Sequence, residues 1–188
     1  TLGGGDVFRD EYSLEFDGTD DYVAVGDDSA LDITGYITLS AWINITSFPT
    51  AEDGIVTKCD NNGDGYGLYS GSGSSNVLFF PRNYAAGSQA AVTGALSTGV
   101  WYHIVGTHDT DANENKIYVD GVLVDTEADT NPMSANNESF DIGRMFQDNT
   151  RTFSGKISEV TVYNSTLSAS QVRTLYNGRE PYNHKEGV

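Results

Sequence analysis

Cysteine is almost missing from this sequence: Cys59 is the only one in 188 residues. That excludes an internal disulfide and any cysteine-based zinc centre. A lone cysteine beside a strand reads as a small buried residue rather than a nucleophile. Proline is scarce at 4 residues, and cations are scarce too, with 10 Lys and Arg against 27 Asp and Glu. The formal net charge of −17 produces a field that repels nucleic acid and anionic membrane, so both are excluded as partners. No apolar run reaches the length of a membrane span, so no membrane insertion is expected. No leader peptide is evident either, which suggests a mature domain or a piece of a longer chain with neighbouring domains.

Apolar and turn-forming residues are plentiful. The chain is 38% hydrophobic, with 11 Tyr, 8 Phe and 2 Trp, enough for a real core. Glycine is high at 21, and Asp outnumbers Glu by 18 to 9. Asp favours turns and local backbone hydrogen bonds, whereas Glu favours helices. Acidic loops on a β-scaffold account for this balance. Cation binding at some of those loops and adaptation to salty surroundings are two sharper readings of the same residues.

Period-2 alternation recurs along the chain. SLEF (13–16) turns at Asp17-Gly18 into DYVAV (21–25). ITLSAWIN (37–44) puts Ile37, Leu39, Ala41 and Ile43 on one face and Trp42 on the other. GIVTK (54–58), YGLYS (66–70) and VLFFP (77–81) follow, and a Gly, Ser and Ala-rich stretch (85–99) reads as a weak strand or a loop. WYHIVGTH (101–108), KIYVDG (116–121), VLVDT (122–126), ESFDIGR (138–144) and KISEVTVYN (156–164) complete the set, with Asp120-Gly121 as a two-residue hairpin turn. Many short strands with turn chemistry between them predict an all-β, two-sheet sandwich or jelly roll. One helix is expected near the end. Ser168 and Gln171 form a capping box, and Leu167 and Val172 form a hydrophobic staple. The domain is placed at 11–178, with 1–10 and 179–188 as linker or edge segments.

Four motifs, SLEFDGTDDYVAV, ITLSAWI, WYHIVGTHD with IYVDGVLV, and FSGKISEVTVYNSTLSASQVRTLYN, occur in that order. Together they resemble the laminin-G-like branch of the concanavalin A-like lectin/glucanase superfamily. The resemblance covers about residues 11 to 178. It implies two antiparallel sheets in a jelly roll, one concave and one convex, with a short helix after the last strand. It further implies a non-catalytic module of an extracellular or cell-surface protein that binds a glycan or a surface glycoprotein, often with one calcium ion. A spacer or protein-interaction domain of a surface or virion protein is the alternative function.

The stretch KCDNNGDGYGLY (58–69) begins like an EF-hand loop, with Asp60, Asn62 and Asp64 spaced by two and Gly65 after them. Position 12 of that pattern is Gly71 instead of a bidentate Glu. In the implied fold it is the connection of a hairpin. Asp109, Asp111 and Asn113 carry the same ambiguity and the same hairpin reading. The resemblance places a structural Ca2+ where the loop after the first strand meets the last long strand. Here that means Asp17, Asp21 and Glu159, with Asp60, Asn62 and Asp64 as second choice. Relatives often carry Asp where this chain has Ser158. The alternative is that Asp17 only builds its turn and Glu159 faces solvent.

A glycoside hydrolase needs two carboxylates across the scissile bond, and residues two apart on a strand share a face. No E-x-D-x-E or E-x-D-x-x-E run is present. His103 reads as a framework residue with Trp101, no G-x-S-x-G occurs, and GSGSSN (71–76) lacks the lysine and helix of a phosphate loop. A glycan-degrading enzyme is therefore disfavoured. Sugar recognition needs a flat aromatic and fixed polar groups. Two segments read as rim loops that supply them. FPRNYAAGSQ (80–89) offers Arg82, Asn83, Tyr84 and Gln89. GRMFQDNTR (143–151) offers Arg144, Phe146, Gln147, Asp148, Asn149 and Arg151. Sequons stand at Asn44, Asn137 and Asn164.

Overall fold

A computed structural model describes residues 12–60, 64–82, 89–131, 133–145 and 148–178. The strands are β1 (Leu14–Asp17), β2 (Val23–Gly26), β3 (Ile37–Ile45), β4 (Asp53–Cys59), β5 (Gly65–Ser70), β6 (Val77–Arg82) and β7 (Ala91–Val92). They continue as β8 (Trp101–Asp109), β9 (Glu114–Val119), β10 (Val122–Ala128), β11 (Phe140–Ile142), β12 (Arg144–Met145), β13 (Asp148–Thr152) and β14 (Ser154–Tyr163), and the helix α1 (Ala169–Gly178) follows. One sheet has the order β1-β14-β3-β8-β9-β10. The other has the order β12-β13-β4-β5-β6-β7, with β11 pairing β4 and β2 pairing β11. All pairings are antiparallel except the single contact of Thr152 with Gly54. This is the expected jelly-roll sandwich.

Alternation explains which residues fill the space between the sheets. Ile37, Leu39, Ala41, Ile43 and Ile45 of β3 meet Ile55, Leu68 and Phe79 of the opposing sheet in one core cluster. The sheets approach closely at Gly106, where an added Cβ would fall 2.1 Å from the Phe79 ring. Only glycine fits there.

The outer face of the first sheet is covered over β3, β8 and β9 as well, because α1 docks there. Ser168 N–H donates to Gln171 Oε1 at 2.8 Å, and Gln171 N–H returns to Ser168 Oγ at 3.4 Å, which forms the expected capping box. Val172 is fully buried with Val105 and Tyr118, and Leu167 packs against them. Tyr176 stacks on Trp42 with ring centroids 5.6 Å apart. His103 lies 5.1 Å from Trp42, and its Nε2 meets Ser40 Oγ at 2.9 Å. The strand ITLSAWINI is therefore buried on both faces although its pattern is that of a half-exposed strand.

Turn chemistry set the connections. Asp120 and Gly121 have φ of 51° and 75°, both left-handed, as a type I′ hairpin requires. The segment 85–99 holds only the two-residue strand β7 among its described residues.

Candidate functional site

Asp17 ends β1 in the first sheet and Val23 starts β2 in the second, so residues 18–22 cross the end of the sandwich. The crossing is tied by its own acids. Asp17 Oδ1 accepts from Thr19 N–H at 2.7 Å, and Asp21 Oδ2 accepts from Asp17 N–H at 3.0 Å. Oxygens of Asp17, Asp20 and Asp21 lie within 4.8 Å of one another on the surface.

Beside this crossing is a cleft of about 270 Å³. Asp17, Asp53, Ser47, Thr50, Thr150, Thr152 and Ser154 line it, with Gly18, Pro49 and Ala51. Four of these stand at strand ends: Asp17 closes β1, Asp53 opens β4, Thr152 closes β13 and Ser154 opens β14. The residues from Ser47 to Ala51 belong to the β3–β4 connection. Asp53 is only 9% exposed, and among the described residues nothing donates to its carboxylate. Burial pushes its pKa up to about 6, and the nearby Arg151 guanidinium offsets part of that rise. Arg151 itself donates from Nη1 to Glu52 O at 3.2 Å.

The donor set of the cleft is all oxygen: two carboxylates, five hydroxyls and no imidazole or thiolate. Hard cations that take six to eight oxygens fit such a set, whereas zinc prefers nitrogen and sulfur. A calcium ion there would be held by Asp17 and Asp53, with hydroxyls and loop carbonyls completing its shell. It would supply a fixed positive charge that pins the strand ends together. Sequence reasoning missed Asp53. The signal was an acid at the start of a strand, DGIVTKC, whose residues are all buried.

The expected grouping of Asp17, Asp21 and Glu159 is not what the register produces. Asp17 pairs with Ser154 and Leu14 with Ile157, so Glu159 stands beyond the opposite end of β1. Five residues of strand, about 16 Å, separate its level from that of Asp17. Ser158 Oγ donates to Tyr12 O at 3.1 Å, which confirms that this part of β14 lies at the Tyr12 end. Glu159 sits in a bulge with φ of 53° and lines a separate, apolar cleft of about 310 Å³ with Tyr12, Leu14, Ile142, Ile157 and Val160.

Asp60 and Asp64 close the β4–β5 hairpin, as the turn reading expected. Asp64 N–H donates to Asp60 Oδ1 at 2.8 Å, and Asp60 N–H donates to Asp64 O at 3.0 Å. Asn62 lies outside the described residues. Asp109 likewise caps its own turn, accepting from the N–H groups of Asp111 and Ala112 at 3.0 Å.

Of the expected sugar contacts, Asn83, Tyr84, Phe146 and Gln147 lie outside the described residues. Arg82 ends β6, and Asp148 and Asn149 open β13. The segment 143–151 is therefore not a plain rim loop, since β12 and β13 pair within it. Arg144 is also not a free rim donor. Its Nε and Nη2 lie 2.9 and 2.8 Å from Asp141 Oδ2, and its guanidinium carbon is 3.4 Å from the centre of the Tyr22 ring. Burial explains the difference: at 7% exposure a guanidinium needs a carboxylate beside it. Gln89 uses its backbone, accepting from Asn115 Nδ2 at 2.6 Å and donating to Asp129 Oδ2 at 3.3 Å.

Two all-β layers with strand-end loops gathered around an oxygen-lined cleft define a lectin-like jelly roll. The chain belongs to the concanavalin A-like lectin/glucanases superfamily, whose laminin G family model matches residues 17–173. No curated protein matches it by sequence. Several solved structures share its fold. The binding domain of Paraclostridial mosquitocidal protein 1 superposes with a TM-score of 0.73 at 16% identity, over 91% of this chain and 44% of that one. A Bacteroides ovatus protein with an inferred carbohydrate-binding role gives 0.68 at 23% identity, over 86% and 45%. The ligand binding domain of botulinum neurotoxin serotype D, in complex with N-acetylneuraminic acid, gives 0.69 at 16% identity, over 93% and 45%. The chain thus spans less than half the length of these structures. No helix among the described residues is long and apolar enough to cross a membrane.

Proposed function

We propose that this domain is a non-catalytic carbohydrate-binding and adhesion module of an extracellular or cell-surface protein, with one calcium ion in the cleft of Asp17 and Asp53. The observation that carries the reading is Asp53: a nearly buried carboxylate with no donor among the described residues, in a cleft whose polar side chains all carry oxygen. A largely buried carboxylate without a donor is costly, and a cation in the cleft would offset that cost. Family membership supports the binding role, and so do similar folds among toxin binding domains and a protein with an inferred carbohydrate-binding role. Calcium in such a site braces the strand ends from which the loops depart, and binding residues concentrate on such loops.

A second reading, packing against a neighbouring domain of a longer chain, is favoured by the apolar cleft beside Tyr12 and Leu14, which are 81% and 55% exposed.

The test has two parts. A glycan array probed with the domain in calcium and in EDTA reads the binding role, and specific signals lost in EDTA are expected. Calorimetric titration with calcium reads the ion. A single site abolished by Asp53→Asn is expected, while calcium binding that survives this change would remove the ion from the cleft.

A further inference from the structure

We propose that the open face of the Tyr22 ring is the sugar platform of this domain and that it takes an uncharged glycan; this rests on the carbohydrate-binding reading above. Arg144 covers one face of the ring, yet Tyr22 stays 41% exposed, so the exposure belongs to the other face and the edge. The support beneath is rigid. Arg144 is held on Asp141, which is 1% exposed, and Asp141 Oδ1 accepts from Ser139 Oγ at 2.7 Å. A ring backed by a neutralised, buried ion pair loses little freedom when a ligand stacks on it. Sugar C–H groups carry partial positive charge and pack on the negative face of an aromatic ring.

The position fits the same reading. Arg144 is the register partner of Thr152, and antiparallel partners show their side chains on one face of the sheet. Thr152 lines the oxygen cleft. Tyr22 is also the last residue of the crossing, which starts from Asp17 at the end of β1, and Asp17 lines that cleft. The platform and the cleft are thus neighbours through both β12–β13 pairing and the chain itself. The cleft has no aromatic residue among its lining groups, and Tyr22 supplies one beside it.

Charge selects the class of sugar. Asp17, Asp20 and Asp21 crowd their oxygens at this edge, in a molecule of net charge −17. Carboxylates accept hydrogen bonds from sugar hydroxyls but repel a carboxylated or sulfated sugar. The class therefore differs from the N-acetylneuraminic acid with which one fold relative is in complex.

The experiment is an array of neutral oligosaccharides and their sialylated counterparts, probed with wild type, Tyr22→Ala, Tyr22→Leu and Tyr22→Phe. Thermal melts run beside it, and Leu keeps Arg144 covered without offering a flat ring. The expected result is wild-type binding to neutral glycans, at least about tenfold loss in Ala and Leu with melting temperatures near wild type, and retention in Phe. Neutral binding that survives in the Leu variant overturns the platform and leaves the carbohydrate reading standing. A preference for sialylated glycans overturns the charge selection. No binding by folded wild type overturns the carbohydrate reading, and the platform with it.

Discussion

Arg144 stacks on Tyr22 with its guanidinium carbon 3.4 Å from the ring centre, while its nitrogens hold the buried carboxylate of Asp141. The pair joins β11 to β12 beneath the chain crossing. Removing one member leaves a buried charge without a partner. Arg144→Met should lose about 3–5 kcal/mol of stability in urea unfolding, and Arg144→Met with Asp141→Leu should lose much less. Equal losses in the single and double variants would show that packing, not charge, decides.

Asp53 gives the cleft a pH signature. Its folded pKa of about 6 lies above its ordinary 3.8, so the folded chain holds an extra proton between those values. Stability from this group is complete below about pH 4 and falls as pH rises towards 6. Asp53→Asn should remove that slope and stabilise the calcium-free protein at pH 7 by on the order of 2 kcal/mol. Chemical denaturation from pH 4 to 7 in EDTA measures it, and an unchanged slope would count against the burial of this carboxylate.

Calcium should raise the melting temperature in a way that magnesium at equal ionic strength does not. At a hundred times the dissociation constant the gain is about 2.7 kcal/mol. Asp53→Asn and Asp17→Asn should abolish the rise, whereas Glu159→Gln and Asp60→Asn should keep it. A rise lost in Glu159→Gln would restore the site to the last strand.

Lys58 is 1% exposed and ties three segments together. Its Nζ reaches Asp27 Oδ1 at 2.8 Å, Asn136 O at 3.1 Å and Glu138 O at 2.7 Å, with Asp32 Oδ1 at 3.2 Å. Lys58→Met should cost about 3–5 kcal/mol, since two carboxylates and two carbonyls lose their cation. Equilibrium unfolding reads this, and a loss below about 1 kcal/mol would mean that water replaces the ammonium.

The helix cap is a milder test. Ser168→Ala should cost about 1 kcal/mol through the lost cap, and Val172→Ala more, through the cavity left against Val105 and Tyr118. Differential scanning calorimetry orders the two, and the reverse order would place the helix's stability in its cap rather than its buried face.

Local patterns carried most of the fold. Alternation of Ile37, Leu39, Ala41 and Ile43 marked the core face of β3, Asp120-Gly121 marked a hairpin, and Ser168 with Gln171 marked a helix start. Each depends on neighbours a few residues apart. The same locality allowed Asp60 and Asp64 to be read as turn residues before their hydrogen bonds were known.

The site was only partly legible, because it is made by contacts far apart in the chain. Asp17 belonged to a visible motif, but Asp53 stands 36 residues away, and only the gathering of strand ends brings the two to one cleft. Glu159 was expected beside them on the strength of its strand, and the β1–β14 register carried it to the other end. Arg144 resembled an exposed loop cation until β12 paired with β13 and buried it on Asp141. The sequence by itself therefore determined strand, turn and helix, since periodicity and backbone preference act over a few residues. Register, sheet order and the partners of buried charges were decided only by the tertiary structure, because a carboxylate's neighbours depend on which strand lies beside it.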